Sequence, residues 1–234
     1  MLKNKDQLIS IITVVYNAKD LLEKTIKSVF SQSYINIEYI IIDGASSDGT
    51  VDIIKKYENK ISYWVSEEDN GIYDAMNKGI KMAKGDGLIF MNAGDYFVGD
   101  MLTNNVDLTI PLFLPIKYEN YFKKFGLLKL KSYRQGIPYC HQGIIFENND
   151  ILYNTNYKIA ADYDYYLNHG YTNNINFLDT KAYIHYDNYG FSKKYAKLRD
   201  IEILTIIENN FAYFYVLNFK LKSIIKNIIK ALWK

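Results

Sequence analysis

The sequence predicts an α/β fold, a mostly parallel sheet flanked by helices, and three observations carry that prediction. Short β-branched or apolar runs recur at 8–15, 37–42, 61–65 and 88–91. The first three are each followed by a helical pattern, which implies right-handed βαβ crossovers. The turns after all four runs are small and polar, so they fall together on the carboxyl edge of the sheet, where ligands of open parallel sheets collect.

Each element has its own justification. Residues 8–15 form a β-branched run as a strand does, Tyr16 to Asp20 form its turn, and Leu21, Leu22, Ile26, Val29 and Phe30 make one helical stripe. The strand at 37–42 ends in Asp43-Gly44-Ala45-Ser46-Ser47-Asp48-Gly49-Thr50, and a helix follows over 51–57 with Asp48 or Thr50 placed to cap it. The strand at 61–65 leads through Ser66-Glu67-Glu68-Asp69-Asn70-Gly71 into a helix over 72–83. The fourth run, after Gly85-Asp86-Gly87, ends in Asn92-Ala93-Gly94-Asp95. Taken alone, Asp95 reads as a turn former, because Asp bonds its own backbone in such turns.

The second half is less regular. From about 100 to 135 the periodicity is lost and Pro111 and Pro115 interrupt it, so irregular or antiparallel structure is expected there. A strand is expected within 137–146, around His141 and Gln142. A helix opens near residue 160, with Asp162 and Asp164 in the first turn where acids suit the helix dipole. Another helix is expected over 193–209. The segment 211–234 places Leu217, Leu221, Ile224, Ile225, Ile228 and Leu232 on one face and Lys222, Lys226, Lys230 and Lys234 on another. This basic amphipathic helix either docks on the core or lies on an anionic membrane surface; Phe211, Tyr213, Phe214, Tyr215 and Trp233 favour peripheral membrane contact.

Bulk properties exclude several classes. A chain of 234 residues, 49% hydrophobic, suits one large domain with a small appendage. A formal charge of +2 supplies no global field for nucleic acid, and no nucleic-acid partner is expected. The single Cys140 excludes a disulfide framework and points to a reducing compartment. No basic start leads into a long apolar run, so no signal peptide is expected, and no uninterrupted apolar stretch reaches the length of a spanning helix. The expected location is the cytoplasm, with any membrane contact at the inner face.

Four linked motifs carry a resemblance. Thr13-Val14-Val15-Tyr16-Asn17, the Asp43 to Thr50 loop, Asp69-Asn70-Gly71-Ile72-Tyr73-Asp74-Ala75-Met76-Asn77-Lys78-Gly79 and Asn92-Ala93-Gly94-Asp95 resemble, in order and spacing, those of inverting family 2 glycosyltransferases with the Rossmann-like GT-A fold. The likeness extends more weakly through His141-Gln142, Asp162-Tyr163-Asp164 and Gly190-Phe191-Ser192, and is greatest to bacterial enzymes that build surface polysaccharides. It implies a GT-A domain over 1–210, with a nucleotide-sugar half at 1–98 and an acceptor half at 99–210, followed by the tail at 211–234.

What that site must do follows from its ligand. A sugar nucleotide presents a flat base, a ribose and a diphosphate, so it wants a stacking ring, an accepting acid and a divalent cation. Tyr16 is the candidate ring, with packing on the sheet edge as its alternative; stacking of this kind is worth roughly 1–3 kcal/mol per base. Asp43 and Asp69 are the candidate acids, and the resemblance adds Thr13, Asn17, Gly71, Asn77 and Asn92 to the donor side. It aligns Asp95 with the acid that meets Mn²⁺ or Mg²⁺, where Asn92 and Gly94 stand in positions that usually carry more acids; His185 is a further candidate ligand. It aligns Asp162 with the catalytic base of a single in-line displacement and puts His141, Gln142 and Asp164 on the acceptor or sugar side. The expected acceptor is a glycan or a lipid-linked sugar. A non-catalytic sugar-nucleotide binder remains open because of the reduced acid count. A nucleotidyltransferase wants a Gly- and Arg-rich loop after the first strand, which 16–20 lacks, and no G-x-G-x-x-G supports a dehydrogenase.

Overall fold

The computed structural model describes residues 7–103, 111–118, 121–123, 140–171, 176–186 and 195–211. Its first half follows the predicted order: β1 (Ile9–Val15), α1 (Lys19–Phe30), β2 (Ile37–Asp43), α2 (Thr50–Lys56), β3 (Tyr63–Ser66), α3 (Ile72–Met82) and β4 (Gly87–Phe90). All seven residues of β1 are buried, which is why that strand is apolar nearly throughout rather than alternating. The β1 strand pairs in parallel with β2 on one side and β4 on the other, and β2 pairs in parallel with β3. Chain order therefore runs outward from β1 to β3 and then returns to the far side of β1. That reversal is a topological switch point, and it opens a crevice at the carboxyl ends of β1 and β4.

Three further strands extend the sheet to seven, in the order β10-β6-β9-β4-β1-β2-β3. Strand β9 (Ile144–Glu147) runs antiparallel to both β4 and β6 (Leu112–Phe113), and β10 (Asn176–Phe177) lies parallel to β6. A second sheet, ordered β5-β11-β7-β8, is built from β5 (Tyr96–Val98), β7 (Ile116–Tyr118), β8 (Tyr121–Lys123) and β11 (Tyr183–His185). Elements of two or three residues carry no detectable period, so these pairings are not readable from the sequence. The strand expected within 137–146 starts only at Ile144, because His141 to Gly143 form a single 3-10 turn; residues 137–139 lie outside the described residues.

One main core, from Ile9 to Ile184, unites both halves of the chain. A satellite core joins α4 (Ala161–Asn168) to α5 (Ala196–Asn210) through Ala160, Tyr163, Ile206 and Ile207. Phe211 packs against that satellite core. The remainder of the tail, 212–234, and Gly190-Phe191-Ser192 lie outside the described residues. Among the described residues no helix is long and apolar enough to cross a membrane.

Candidate active site

The four strand-end loops are tied together by backbone and side-chain hydrogen bonds. Asp43, the last residue of β2, is fully buried and accepts from Ser46 N (2.9 Å), Ser46 Oγ (2.5 Å) and Ser66 Oγ (2.6 Å). Asn17, in the left-handed region at φ 46°, donates its backbone N–H to Ser46 Oγ (2.8 Å) and accepts Ser47 N–H on its side-chain oxygen (2.9 Å). Asp48 caps two helices at once. Its carboxylate accepts from Lys19 N (3.0 Å) at the start of α1 and from Thr50 N (2.9 Å) at the start of α2. The Thr50 hydroxyl donates to the same carboxylate, and these bonds, led by the hydroxyl, hold its pKa below the ordinary carboxylate value.

An exposed ring and a carboxylate meet above Gly44. Tyr16 is 67% exposed at the end of β1. A Cβ placed on Gly44 would lie 2.5 Å from Asp69 Oδ2 and in ordinary contact with Tyr16 Cδ2 at 3.4 Å, so glycine lets the Asp69 side chain close over the backbone. Asp69 also accepts the N–H of Gly71 (2.8 Å), and Gly71 opens α3 at φ 113°, a conformation that glycine tolerates. Beside β4, Thr25 of α1 fastens the last loop: its hydroxyl donates to Asp95 O (2.7 Å) and accepts from Gly94 N (3.1 Å). Asp95 itself is buried, and the side-chain oxygen of Asn92 is a buried acceptor with no partner among the described residues.

Two of the predicted donor-side residues point elsewhere. Thr13 is fully buried, and its hydroxyl lies 3.1 Å from Tyr39 Oη inside the core. Asn77 spends its whole amide on the backbone of Tyr153, donating to Tyr153 O (2.8 Å) and accepting Tyr153 N–H (2.7 Å). Both are therefore buried fasteners; Asn77 secures the segment that leads to α4.

That segment brings the second half of the chain to the crevice. Tyr73, in the first turn of α3, donates its hydroxyl to Ile159 O (2.8 Å). Burial pushes the Tyr73 pKa well above its ordinary value, and the nearby Asp162 charge pushes it further. Asp162 stands in the first turn of α4 with its side chain 22% exposed, one oxygen accepting Tyr163 N–H (2.9 Å) and the other 3.6 Å from His141 Nδ1. His141 is 5% exposed, and neither ring nitrogen has a hydrogen-bond partner among the described residues. Its ring meets the edge of Phe90, the last residue of β4, at 5.9 Å. Gln142, also buried, accepts from Cys140 Sγ through its side-chain oxygen. Asp164 is turned inward and accepts from Asn168 one turn later (3.1 Å); burial raises its pKa. Tyr153 stacks on Tyr165 at 4.0 Å and on Tyr73 at 5.3 Å, so an aromatic wall backs the Asp162 turn.

Comparison with known proteins decides the family. The model for Glycosyl transferase family 2 matches residues 10–109. An uncharacterised glycosyltransferase of Mycobacterium tuberculosis is 34% identical over 176 residues, 68% of this chain and 67% of that protein. The chain belongs to glycosyltransferase family 2. WfaP of Escherichia coli, a UDP-Glc:alpha-D-GlcNAc-diphosphoundecaprenol beta-1,3-glucosyltransferase, is 36% identical over 117 residues, and the chain spans about half of it, 47%. TuaG of Bacillus subtilis, a putative teichuronic acid biosynthesis glycosyltransferase, is 37% identical over 107 residues, covering 44% of this chain and 42% of TuaG. The crystal structure of residues 1–349 of S. aureus TarS with UDP superposes with a TM-score of 0.66 at 20% identity, covering 86% of this chain and 64% of that one, which establishes the GT-A fold.

A family 2 enzyme of this fold implies a divalent cation. Among the described residues no group of three or more His, Cys, Asp or Glu side chains is arranged to hold one. Hard oxygens are nonetheless present at the end of β4, in the Asp95 carboxyl and the unpartnered Asn92 oxygen, and they suit an ion whose other ligands are phosphate oxygens and water. His185 sits opposite Tyr96 across the β5–β11 ladder, one position beyond Asp95, with its ring stacked on Tyr96 at 4.5 Å and a buried, unpartnered Nδ1. Its approach to Asp95 depends on a second sheet that the sequence did not reveal. Ser46, Ser66 and Tyr153 carry no such signal either: serines in a polar loop and one tyrosine among 23 are not separated locally from their neighbours.

Proposed function

We propose that this enzyme transfers one sugar from a UDP-sugar to a hydroxyl of a glycan or lipid-linked acceptor, with inversion, during assembly of a bacterial cell-surface polysaccharide. The observation that supports the reading is the linkage of two groups of residues: Tyr16, Asp43, Asp69 and Asp95 in the loops at four strand ends, and Asp162 with His141, fastened to the same sheet and α3 through Phe90 and Tyr73. Donor class and acceptor class are supported by the named activity of WfaP, and the polysaccharide role by TuaG. Tyr16 stacks on the base, Asp69, held by Gly71 N–H, accepts from base or ribose, and Asp43 shapes the loop beneath them, with Asn17 as that loop's support. Asp95 and Asn92 would hold Mn²⁺ or Mg²⁺, with His185 as a further candidate ligand. When bound, the cation offsets the charge of the leaving diphosphate.

Asp162 is the base. The acceptor oxygen bonds to the anomeric carbon as the bond from that carbon to the diphosphate oxygen breaks, and the hydroxyl proton passes to the Asp162 carboxylate. His141 and Gln142 line the acceptor or sugar side, whereas Asp164, bonded to Asn168, shapes the helix behind them. Peripheral contact of 211–234 with the inner face of the membrane would keep the enzyme near a lipid-linked acceptor.

UDP release from a panel of UDP-sugars, with Mn²⁺ or Mg²⁺ and after chelation, tests the reading. Release is expected with at least one donor, to rise when GlcNAc-diphospho-lipid is added and to fall on chelation; absence of release across the panel with either cation overturns it. The close approach over Gly44 gives a second expectation. In Gly44→Ala the methyl displaces Asp69, so UDP affinity should fall about tenfold or more, the equivalent of ~1.4 kcal/mol. The fold should be little affected, because the clash is with a side chain that can swing outward. Isothermal titration with UDP beside a thermal melt checks both halves, and unchanged affinity would remove Asp69 from the donor pocket.

A further inference from the structure

We infer that Glu202, on α5, is the positioning residue for Asp162. The inference rests on the reading of Asp162 as the base. Glu202 is 7% exposed, whereas Ile201 beside it is 62% exposed, an inversion of the usual polarity that needs a cause. The cause is the turn that opens α4. One carboxylate oxygen accepts Lys158 N–H (2.7 Å) and the other accepts Ile159 N–H (2.8 Å) and Ala160 N–H (2.9 Å). Three consecutive backbone donors thus converge on one buried anion immediately before the helix that carries Asp162. These bonds to a charged acceptor are the strong kind.

The same turn is held from its other side. The Tyr73 hydroxyl donates to Ile159 O, so residue 159 is gripped through its N–H by α5 and through its carbonyl by α3. Ala160 and Tyr163, which bracket Asp162 in the chain, form the satellite core with Ile206 and Ile207, one turn beyond Glu202. Among the described residues the hydrogen bonds of Glu202 go to the backbone of 158–160 and to none of the strand-end loops. Its effect on the reaction runs through the backbone of 158–160 to the direction in which Asp162 points. A displacement of about 1 Å at a proton-transfer group can cost on the order of 100-fold in rate.

Glu202→Gln, Glu202→Asp and Asp162→Asn, singly and combined, test this with UDP-glucose and Mn²⁺ as the probe, or with whichever UDP-sugar turns over fastest. In Glu202→Gln, kcat should fall about 10- to 100-fold with the donor KM within about twofold of the parent. Glu202→Asp keeps the charge and should recover part of that loss; it also serves if the Gln variant folds poorly. Hydrogen exchange should quicken at the amides of 158–160 and stay unchanged in β1 to β4. The double variant Asp162→Asn/Glu202→Gln should turn over no more slowly than Asp162→Asn alone, because the two act as one unit. Near-parental kcat in Glu202→Gln, or losses that multiply in the double variant, overturns the positioning role while leaving the base assignment intact. Full turnover in Asp162→Asn alone overturns the base assignment instead, whatever Glu202 does.

Discussion

Asp162→Asn is expected to lower kcat for sugar transfer by about 10²- to 10⁴-fold, the usual contribution of a positioned general base. The substitution keeps nearly the same shape and still accepts Tyr163 N–H through its side-chain oxygen. It removes only the charge and the capacity to take a proton. Losing an acid from the first turn of a helix costs about 0.3–1 kcal/mol, small beside the loss in rate, so the variant should fold. UDP binding should stay within about twofold, because the donor contacts lie at the strand ends and an interaction made only in the transition state lowers kcat and kcat/KM together. Steady-state transfer assays with a matched UDP titration check this. Retained turnover would remove Asp162 from the chemistry and leave His141, 3.6 Å away, as the group to examine next.

Phe90→Ala is expected to be the most damaging single core change, at about 3–5 kcal/mol. The ring is fully buried and meets four others edge-on: His141 at 5.9 Å, Phe146 at 6.1 Å, Tyr153 at 5.2 Å and Tyr165 at 5.8 Å. Those partners come from different segments of the second half, so Phe90 is the joint between the strand ends and the Asp162 side. Against a total stability of about 5–15 kcal/mol, the loss leaves little margin. Urea unfolding should show a lowered midpoint, and activity should fall further than stability alone explains, since His141 loses its support. A change below about 1 kcal/mol would mean that the cavity collapses and the joint is not rigid. Phe90→Leu, which fills most of the space, should recover much of the stability and less of the rate.

Local signals were legible wherever one chain segment decides its own structure. The runs that became β1, β2, β3 and β4 end at polar turns, and because parallel strands share a direction, those turns had to share an edge. The motif order likewise anticipated the GT-A fold and the family. Short pairings were not legible: β5, β7 and β11 have three residues each and acquire their identity only from one another. Motif membership also proved a poor guide to side-chain direction. Thr13 and Asn77 sit inside the family's motifs, yet one hydroxyl is packed against Tyr39 and the other side chain is consumed by Tyr153.

By itself the sequence determined the α/β class, the four loops on one sheet edge and the presence of Asp43 and Asp69 in those loops, because hydrophobic period and turn chemistry act over a few residues. Tertiary structure alone decided which partner each polar group takes. The Asp162 turn is a case in point: its position depends on Tyr73 from α3, Phe90 from β4 and Glu202 from α5, contacts separated by 86 residues at Tyr73–Ile159 and by 43 at Ile159–Glu202. A buried acceptor must find donors wherever the fold brings them, and over such separations the chain carries no periodic trace of that choice.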